Sequence, residues 1–270
     1  MSAQGFNDTI KLIVVDMDGT FLNDQMTYDI ERFKRQYALM KERNIKFVVA
    51  SGNQYYQLKS FFEPFQDELA YVAENGALVV DEAKIIHVND IPGQVVDDVI
   101  ACLQQHPSLR PIICGVNSAY ILNDADETLY NHASRYYHRL KKIGSYDEID
   151  DVIIKFALTT PDVSYFENQL TTQLPREITL VTSGHDSIDL ISNNSHKAAG
   201  IAKLLTRWKT SFDKCMAFGD SNNDLEMLHS AKYSYAMANG NDNVKRVANY
   251  IAPGNNEHGV LCVIDEYLNH

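Results

Sequence analysis

Cysteine is scarce and basic charge is in deficit. The four cysteines (Cys102, Cys114, Cys215 and Cys262) are scattered, without a CxxC pair. That excludes the ligand spacing of a structural zinc site, and Cys114 and Cys215, lying in apolar runs, read as buried reduced thiols. Lys and Arg number 24 against 36 Asp and Glu, a net charge of −12. A surface of that sign repels nucleic acid and anionic membranes, so neither is expected as a partner. No apolar run approaches the ~18 residues of a membrane-spanning helix. The opening MSAQGFND lacks the basic and apolar regions of a secretory signal, so a cytoplasmic location is expected. No repeat of fixed period is visible, and the absence of GxxxxGK[ST] disfavours a P-loop kinase.

What is present is an ordinary globular composition, 45% hydrophobic and 22% charged over 270 residues. That length is nearly two domains of ~150 residues, or one large domain carrying an insertion. Short runs apolar on both faces occur near both ends of the chain: Leu12 to Val15, Phe47 to Ala50 and Met216 to Phe218. Each is followed by polar residues and then a helical pattern. This is the β-α-β rhythm of a parallel sheet covered by helices on both sides. Helices are expected over Tyr28 to Arg43, with Ile30, Phe33, Tyr37 and Met40 on one face, and over Gln54 to Phe62. A strand over Tyr71 to Ala73 meets the turn signal Asn75-Gly76, where a hairpin can carry the chain out of the sheet.

The middle of the chain changes character. Helices are predicted over Val95 to Gln104, Glu127 to Leu140 and Val163 to Leu174, and strands over Ile112 to Val116, Tyr120 to Leu122, Val152 to Leu158, Ile178 to Thr182 and Ser187 to Ile191. Mostly antiparallel features of this kind suggest an α+β segment inserted into the α/β core.

Chemistry concentrates at strand ends. Asp16-Met17-Asp18-Gly19-Thr20 directly follows the first run, Ser51-Gly52-Asn53 the second, and Gly219-Asp220-Ser221-Asn222-Asn223-Asp224 the third. In an open parallel sheet, ligands bind beyond the carboxyl ends of the strands. Each cluster alone also fits a turn or a helix cap, but such an explanation does not cover three strands at once. Asn193-Asn194-Ser195 look like cap residues, placing Lys197 near a helix N-terminus, where a cation opposes the helix dipole. It is either simply solvated or turned inward to hold an anion. Clustered carboxylates call for a hard divalent cation such as Mg2+, and Mg2+ with Lys197 would make a phosphate site locally positive.

DMDGT, SGN, the lysine and GDSNND, in this order, resemble the four motifs of the haloacid dehalogenase superfamily of phosphatases. ENGA at Glu74 to Ala77 and the long insertion resemble its Cof-type subgroup. AENGALV, FVVASGNQYYQL, CGVNSAY and YYHRLK are similar to a bacterial sugar phosphatase of that subgroup. The resemblance implies a Rossmann-like parallel-sheet core (1–84 and 190–270) with an inserted α+β cap of the C2B type (85–189). It implies Asp16 as a nucleophile that forms an aspartyl phosphate, and Asp18 as the acid and then the base. Phosphate would be bound by Asp16, Met17, Ser51, Gly52, Lys197 and Asn223. Mg2+ would be held by Asp16, the main-chain carbonyl of Asp18 and Asp220, with Thr20 and Asp224 in support.

The expected activity is Mg2+-dependent hydrolysis of small phosphomonoesters, most of all hexose or pentose phosphates, by a monomer or weak homodimer. The alternatives are a phosphotransferase or phosphomutase with the same chemistry, a receiver-type regulatory module, and an idle binding protein on the same scaffold. Receivers are much shorter and carry no cap, and an idle protein would be expected to have lost Asp16 or Asp18. Tyr136, Tyr137, His138 and Arg139 could face a sugar, but one helical turn cannot point all four inward.

Overall fold

The computed structural model describes residues 9–183 and 187–269. In chain order the strands are β1 (Leu12–Val15), β2 (Lys46–Ala50), β3 (Ala70–Ala73), β4 (Leu78–Asp81), β5 (Lys84–Val88), β6 (Ile112–Gly115) and β7 (Ala119–Leu122). Then follow β8 (Leu140–Ile143), β9 (Ile153–Thr159), β10 (Ile178–Ser183), β11 (Ser187–Ser192), β12 (Cys215–Gly219), β13 (Tyr233–Met237) and β14 (Tyr250–Ala252). The helices are α1 (Ile30–Glu42), α2 (Tyr55–Ser60), α3 (Gly93–Leu103), α4 (Glu127–Ala133), α5 (Val163–Gln173), α6 (Lys197–Trp208), α7 (Leu225–Ser230), α8 (Asp242–Val247) and α9 (Gly259–Leu268).

The fold is mixed α/β, with a Rossmann-like core. Its sheet has the order β14-β13-β12-β1-β2-β3-β4-β5, parallel from β14 through β3. Alternation along each central strand feeds two apolar layers. Ile13, Val15, Phe47, Val49, Met216 and Phe218 join one layer with α1 and α9. Leu12, Val14, Val48, Ala50, Cys215 and Ala217 join the other with α6 and α7. Four neighbouring strands, β12, β1, β2 and β3, therefore end on one edge with their following loops side by side.

In α1, Asp29 caps the N-terminus by accepting from the Arg32 amide, and Phe33, Tyr37 and Met40 are buried. Ile30, the first helical residue, is 45% exposed instead of sharing that face. Gln36 takes an inward position because its amide finds partners there, the Leu261 carbonyl at 2.7 Å and Asp265 at 2.6 Å. Phe33 sits at the centre of an aromatic cluster, edge-on to Phe47 at 4.9 Å and to Phe21 at 5.5 Å between centroids.

The second sheet lies between these two halves in sequence, with the order β10-β11-β9-β6-β7-β8 and antiparallel pairing except between β7 and β8. One face packs on α3 and α5 through Ile113, Phe156, Leu158 and Leu190. The other, through Ile112, Cys114, Ala119 and Ala157, packs on α4 and Tyr137. In β9 this alternation turns Phe156 and Leu158 to the helices, and Lys155, Ala157 and Thr159 toward a cavity shared with the core.

Several expectations are corrected. The turn at Asn75-Gly76 joins β3 to β4, but β4 and β5 stay in the large sheet as its antiparallel edge. The expected boundaries at 84/85 and 189/190 consequently cut β5 and β11. The helix expected over Glu127 to Leu140 stops at Ala133, because Leu140 is drawn into a parallel ladder with Ala119. Tertiary pairing overrides local pattern there. Cys102, Cys114 and Cys215 are buried free thiols, while Cys262 is only half-buried.

Truncation of the fully buried Phe33 to alanine is expected to cost about 3–5 kcal/mol. Urea unfolding checks this as a lower midpoint at unchanged slope.

Candidate active site

The Asp16 side chain emerges where β1 ends, 5% exposed, and its Oδ1 lies 2.5 Å from Lys197 Nζ. Lys197 is the first residue of α6, 1% exposed, and its Nζ also donates to Asp224 Oδ1 at 2.6 Å. The cap of α6 is His196, whose Nδ1 accepts from the Ala199 amide, and not the Asn193-Asn194-Ser195 run. Lys197 is turned inward. Burial alone would favour its neutral amine, but the carboxylates of Asp16 and Asp224 more than reverse this and hold it protonated.

Asp224 is fully occupied. Its Oδ2 accepts from the backbone amides of Asp220 and Ser221 at 3.0 and 3.1 Å, tying the loop after β12 into a closed turn. Asp220 accepts from the Thr20 hydroxyl at 3.2 Å. Gly19, at φ +72°, lets the first loop pass close beneath: a Cβ there would sit 2.6 Å from Asp220 Oδ2. The Gly19 carbonyl accepts from Asn239 at 2.7 Å. Asp18 Oδ2 accepts from the Asn53 amide at 2.7 Å.

Among the described residues, the carboxylates of Asp16, Asp220 and Asp224 form the one acidic group with ligand atoms mutually within 4.8 Å. Burial pushes the Asp16 carboxyl well above the ordinary carboxylate range, with Lys197 acting against it and Asp224 and Asp220 adding to it. Burial and Asp224 push Asp220 up to about 6. Hard oxygen ligands that repel one another in a dry site suit Mg2+. Asp224 is committed to Lys197 and two amides, so Asp16 and Asp220 are the carboxylates left for a cation. Asp18, its side chain turned to Asn53, could join only through its main chain.

Ser51 and Gly52 line the same cavity, as does Asn223, whose amide donates to Asn75 Oδ1 at 3.1 Å. The Met17 side chain lies instead in the apolar core, so any part it takes toward phosphate falls to its backbone. Burial raises Asp18 above its ordinary value, against the hydrogen bond from Asn53. That suits a group which must hold a proton before delivering it.

The cavity has a volume of about 520 Å³ and is walled by both sheets. Tyr136 and Tyr137 line it, whereas Arg139 lies over the Tyr56 ring at 3.6 Å and His138 is exposed. Four side chains at this junction had no site role in the sequence reading: Asn53 and Asn75, which it placed only within a motif and a turn, and Lys155 and Asp189. The last two sit on strands of the inserted sheet, where a charge between apolar neighbours was the available signal.

The sequence profile of the haloacid dehalogenase-like hydrolases matches residues 13–264, and the chain belongs to that family, in its Cof-type subgroup of phosphatases. It is 44% identical to the 5-amino-6-(5-phospho-D-ribitylamino)uracil phosphatase YbjI of Escherichia coli K12 over 97% of both chains. It is 26% identical to the Bacillus subtilis phosphatase YcsE, of the same substrate name, over 99% of this chain and 100% of that one. The crystal structure of SMU.1108c from Streptococcus mutans superposes with a TM-score of 0.91 at 34% identity, covering 97% of this chain and 100% of that one. Among the described residues no helix is long and apolar enough to cross a membrane.

The raised Asp220 carboxyl makes stability fall as pH rises. With a folded value of about 6 against an ordinary 3.8, its contribution to stability is present below about pH 4 and lost as pH rises toward about 6 and beyond. In chelator at pH 8, Asp220→Asn should melt a few degrees above the parent protein, a gap that closes near pH 4. Mg2+ should raise the melting temperature of the parent and not of the variant, as thermal scans will show.

Proposed function

We propose that the chain is a Mg2+-dependent phosphatase of small phosphomonoesters, sugar phosphates above all, acting through a phosphorylated Asp16. The observation that carries this reading is a buried carboxylate at a strand end, its Oδ1 held 2.5 Å from Lys197, on the floor of a cavity of about 520 Å³. One oxygen of Asp16 is neutralised and fixed by the lysine, leaving the other to attack. Mg2+ at Asp16 and Asp220 would offset the charge of the carboxylates and the incoming phosphate.

In the first half-reaction an Asp16 oxygen bonds to phosphorus as the ester P–O bond breaks, and Asp18 gives its proton to the leaving alkoxide. In the second, Asp18 takes a proton from water, the water oxygen bonds to phosphorus, and the Asp16–phosphoryl bond breaks, regenerating both carboxyl groups. Lys197, the Ser51 hydroxyl and the amides after β2 are positioned to share the negative charge on the transferring oxygens. Asn53 keeps Asp18 aimed.

The inserted sheet supplies the chemistry that would select the leaving group. Thr159 and Ser187 offer hydroxyls, Tyr136 and Tyr137 offer rings, and Ile112 and Ala157 offer apolar surface. That mixture suits a polyol chain ending in a phosphate and bearing a flat or hydrophobic group. A ribityl phosphate attached to a uracil, the ester in the names of YbjI and YcsE, is of this kind.

Phosphate release should be measured on a panel of that ester, hexose and pentose phosphates, and non-sugar phosphomonoesters. Release is expected to require Mg2+ and to fall at least about a thousandfold in Asp16→Asn. Near-normal turnover by the folded variant would overturn the reading.

A further inference from the structure

Lys155 is a lysine out of place. It sits on β9 of the inserted sheet, between Ile154 and Phe156, and is 1% exposed. Its Nζ crosses to the core, donating to the Gly52 carbonyl at 2.7 Å and pairing with Glu74 Oε2 at 2.6 Å. Asp189 of β11 follows at 3.5 Å. Its hydrogen bond goes to the Gly52 carbonyl and its charge is met by the two carboxylates, so Lys155 is engaged within the protein even though it borders the cavity.

The two core loops it grips are themselves interlocked. The Glu74 amide donates to the Asn53 carbonyl and the Asn75 amide to the Ser51 carbonyl, at 3.2 and 3.0 Å. Glu74 and Asn75 both have positive φ, 51° and 54°, ahead of Gly76 at 93°. Non-glycine residues seldom adopt this conformation, and two in succession persist only where the surroundings enforce it. At Gly76 a Cβ would come within 2.3 Å of the His196 carbonyl. Contacts from the inserted sheet reinforce it: Lys155 on Glu74, and Asp189, whose Oδ2 accepts from the Asn75 side-chain Nδ2 at 2.8 Å. Asn75 in turn holds Asn223.

A carbonyl and the following amide share one plane, so fixing the Gly52 oxygen fixes the Asn53 nitrogen and aims the Asn53 side chain. That side chain holds Asp18. Buried ion clusters are poor stabilisers compared with apolar packing. Burial pushes Glu74 and Asp189 above the ordinary carboxylate range, Lys155 opposing it in both, so the cluster is held against a desolvation cost.

Resting on the phosphatase reading, we propose that Lys155 is a positioning residue: docked with Glu74 and Asp189, it sets the 51–53 loop and through Asn53 the orientation of Asp18, so that the acid and base are aligned only while the inserted sheet is seated on the core.

Lys155→Met alone leaves two carboxylates buried without a cation and could unfold the chain. The test therefore also uses the neutral triple variant Lys155→Met/Glu74→Gln/Asp189→Asn, which keeps the shapes and removes the charges. In the folded triple variant kcat should fall about tenfold or more, as expected of a misplaced catalytic group, with KM changing less than about threefold. Asn53→Ala should lower kcat in the parent and add little in the triple background, since both act through one route. Amide hydrogen exchange across 51–54 and 74–76 should quicken in the triple variant while β1 stays protected, a readout that needs no substrate.

A kcat reduced less than about fivefold, an effect confined to KM, additive losses with Asn53→Ala, or unchanged exchange in those loops would each overturn the assignment. Failure of the phosphatase reading would show separately, as a parent protein that hydrolyses no ester.

Discussion

One ammonium group, shut away from water between two carboxylates, holds the site together. Lys197 touches Asp16 and Asp224 at 2.5 and 2.6 Å and is itself fully enclosed. Removing Lys197 would leave two carboxylates facing each other in a dry interior, a far larger penalty than the modest net worth of the trio as a stabiliser. The surrounding structure serves this arrangement. Asp16 must follow the central strand, Asp224 must belong to the loop beside it, and Lys197 must begin a helix packed across the back of both. A lysine in the first turn works against the helix dipole, and the two carboxylates outweigh that.

The consequence is a division of labour among acids of one kind. Asp224 is a fixture, its oxygens spent on Lys197 and two backbone amides. Asp16 has one oxygen committed, and Asp220 is steadied by Thr20. Asp18 is turned away to Asn53 and raised by burial, which suits proton transfer more than metal binding. Identical side chains thus acquire different chemistry from their neighbours alone. The inserted sheet completes the site by roofing the cavity and by sending Lys155 and Asp189 down to the loops beneath it.

Much of this was legible because it rests on short-range regularities. Runs such as LIVV and FVVA, apolar on every residue, signal strands covered on both faces, and the polar residues immediately beyond them fall at the ligand-binding edge of a parallel sheet. What escaped notice depends on partners far away in the chain. That β4 and β5 remain in the core sheet follows from pairing with β3 and not from the Asn75-Gly76 turn, which marks a reversal without saying where the chain goes next. Leu140 reads as the end of a helix until its ladder partner Ala119 is known. Lys155 reads as the polar position of a half-buried strand, and its role appears only when Glu74, some eighty residues earlier, is brought to 2.6 Å. His196 is not a common helix cap, so the preceding Asn-Asn-Ser drew attention from it. Ile30 carries the right periodicity, yet lies exposed at the first turn of α1.

The central claim is that the Asp16 carboxylate becomes the phosphoryl carrier. The most direct measurement is acid quenching of the enzyme during turnover, followed by mass spectrometry of the fragment containing Asp16 and Asp18. The account predicts an acid-stable, hydroxylamine-labile gain of one phosphoryl group located on Asp16, formed and lost at rates compatible with turnover. A phosphoryl group on Asp18 or elsewhere, or steady hydrolysis with no phosphorylated enzyme at any quench time, would contradict it.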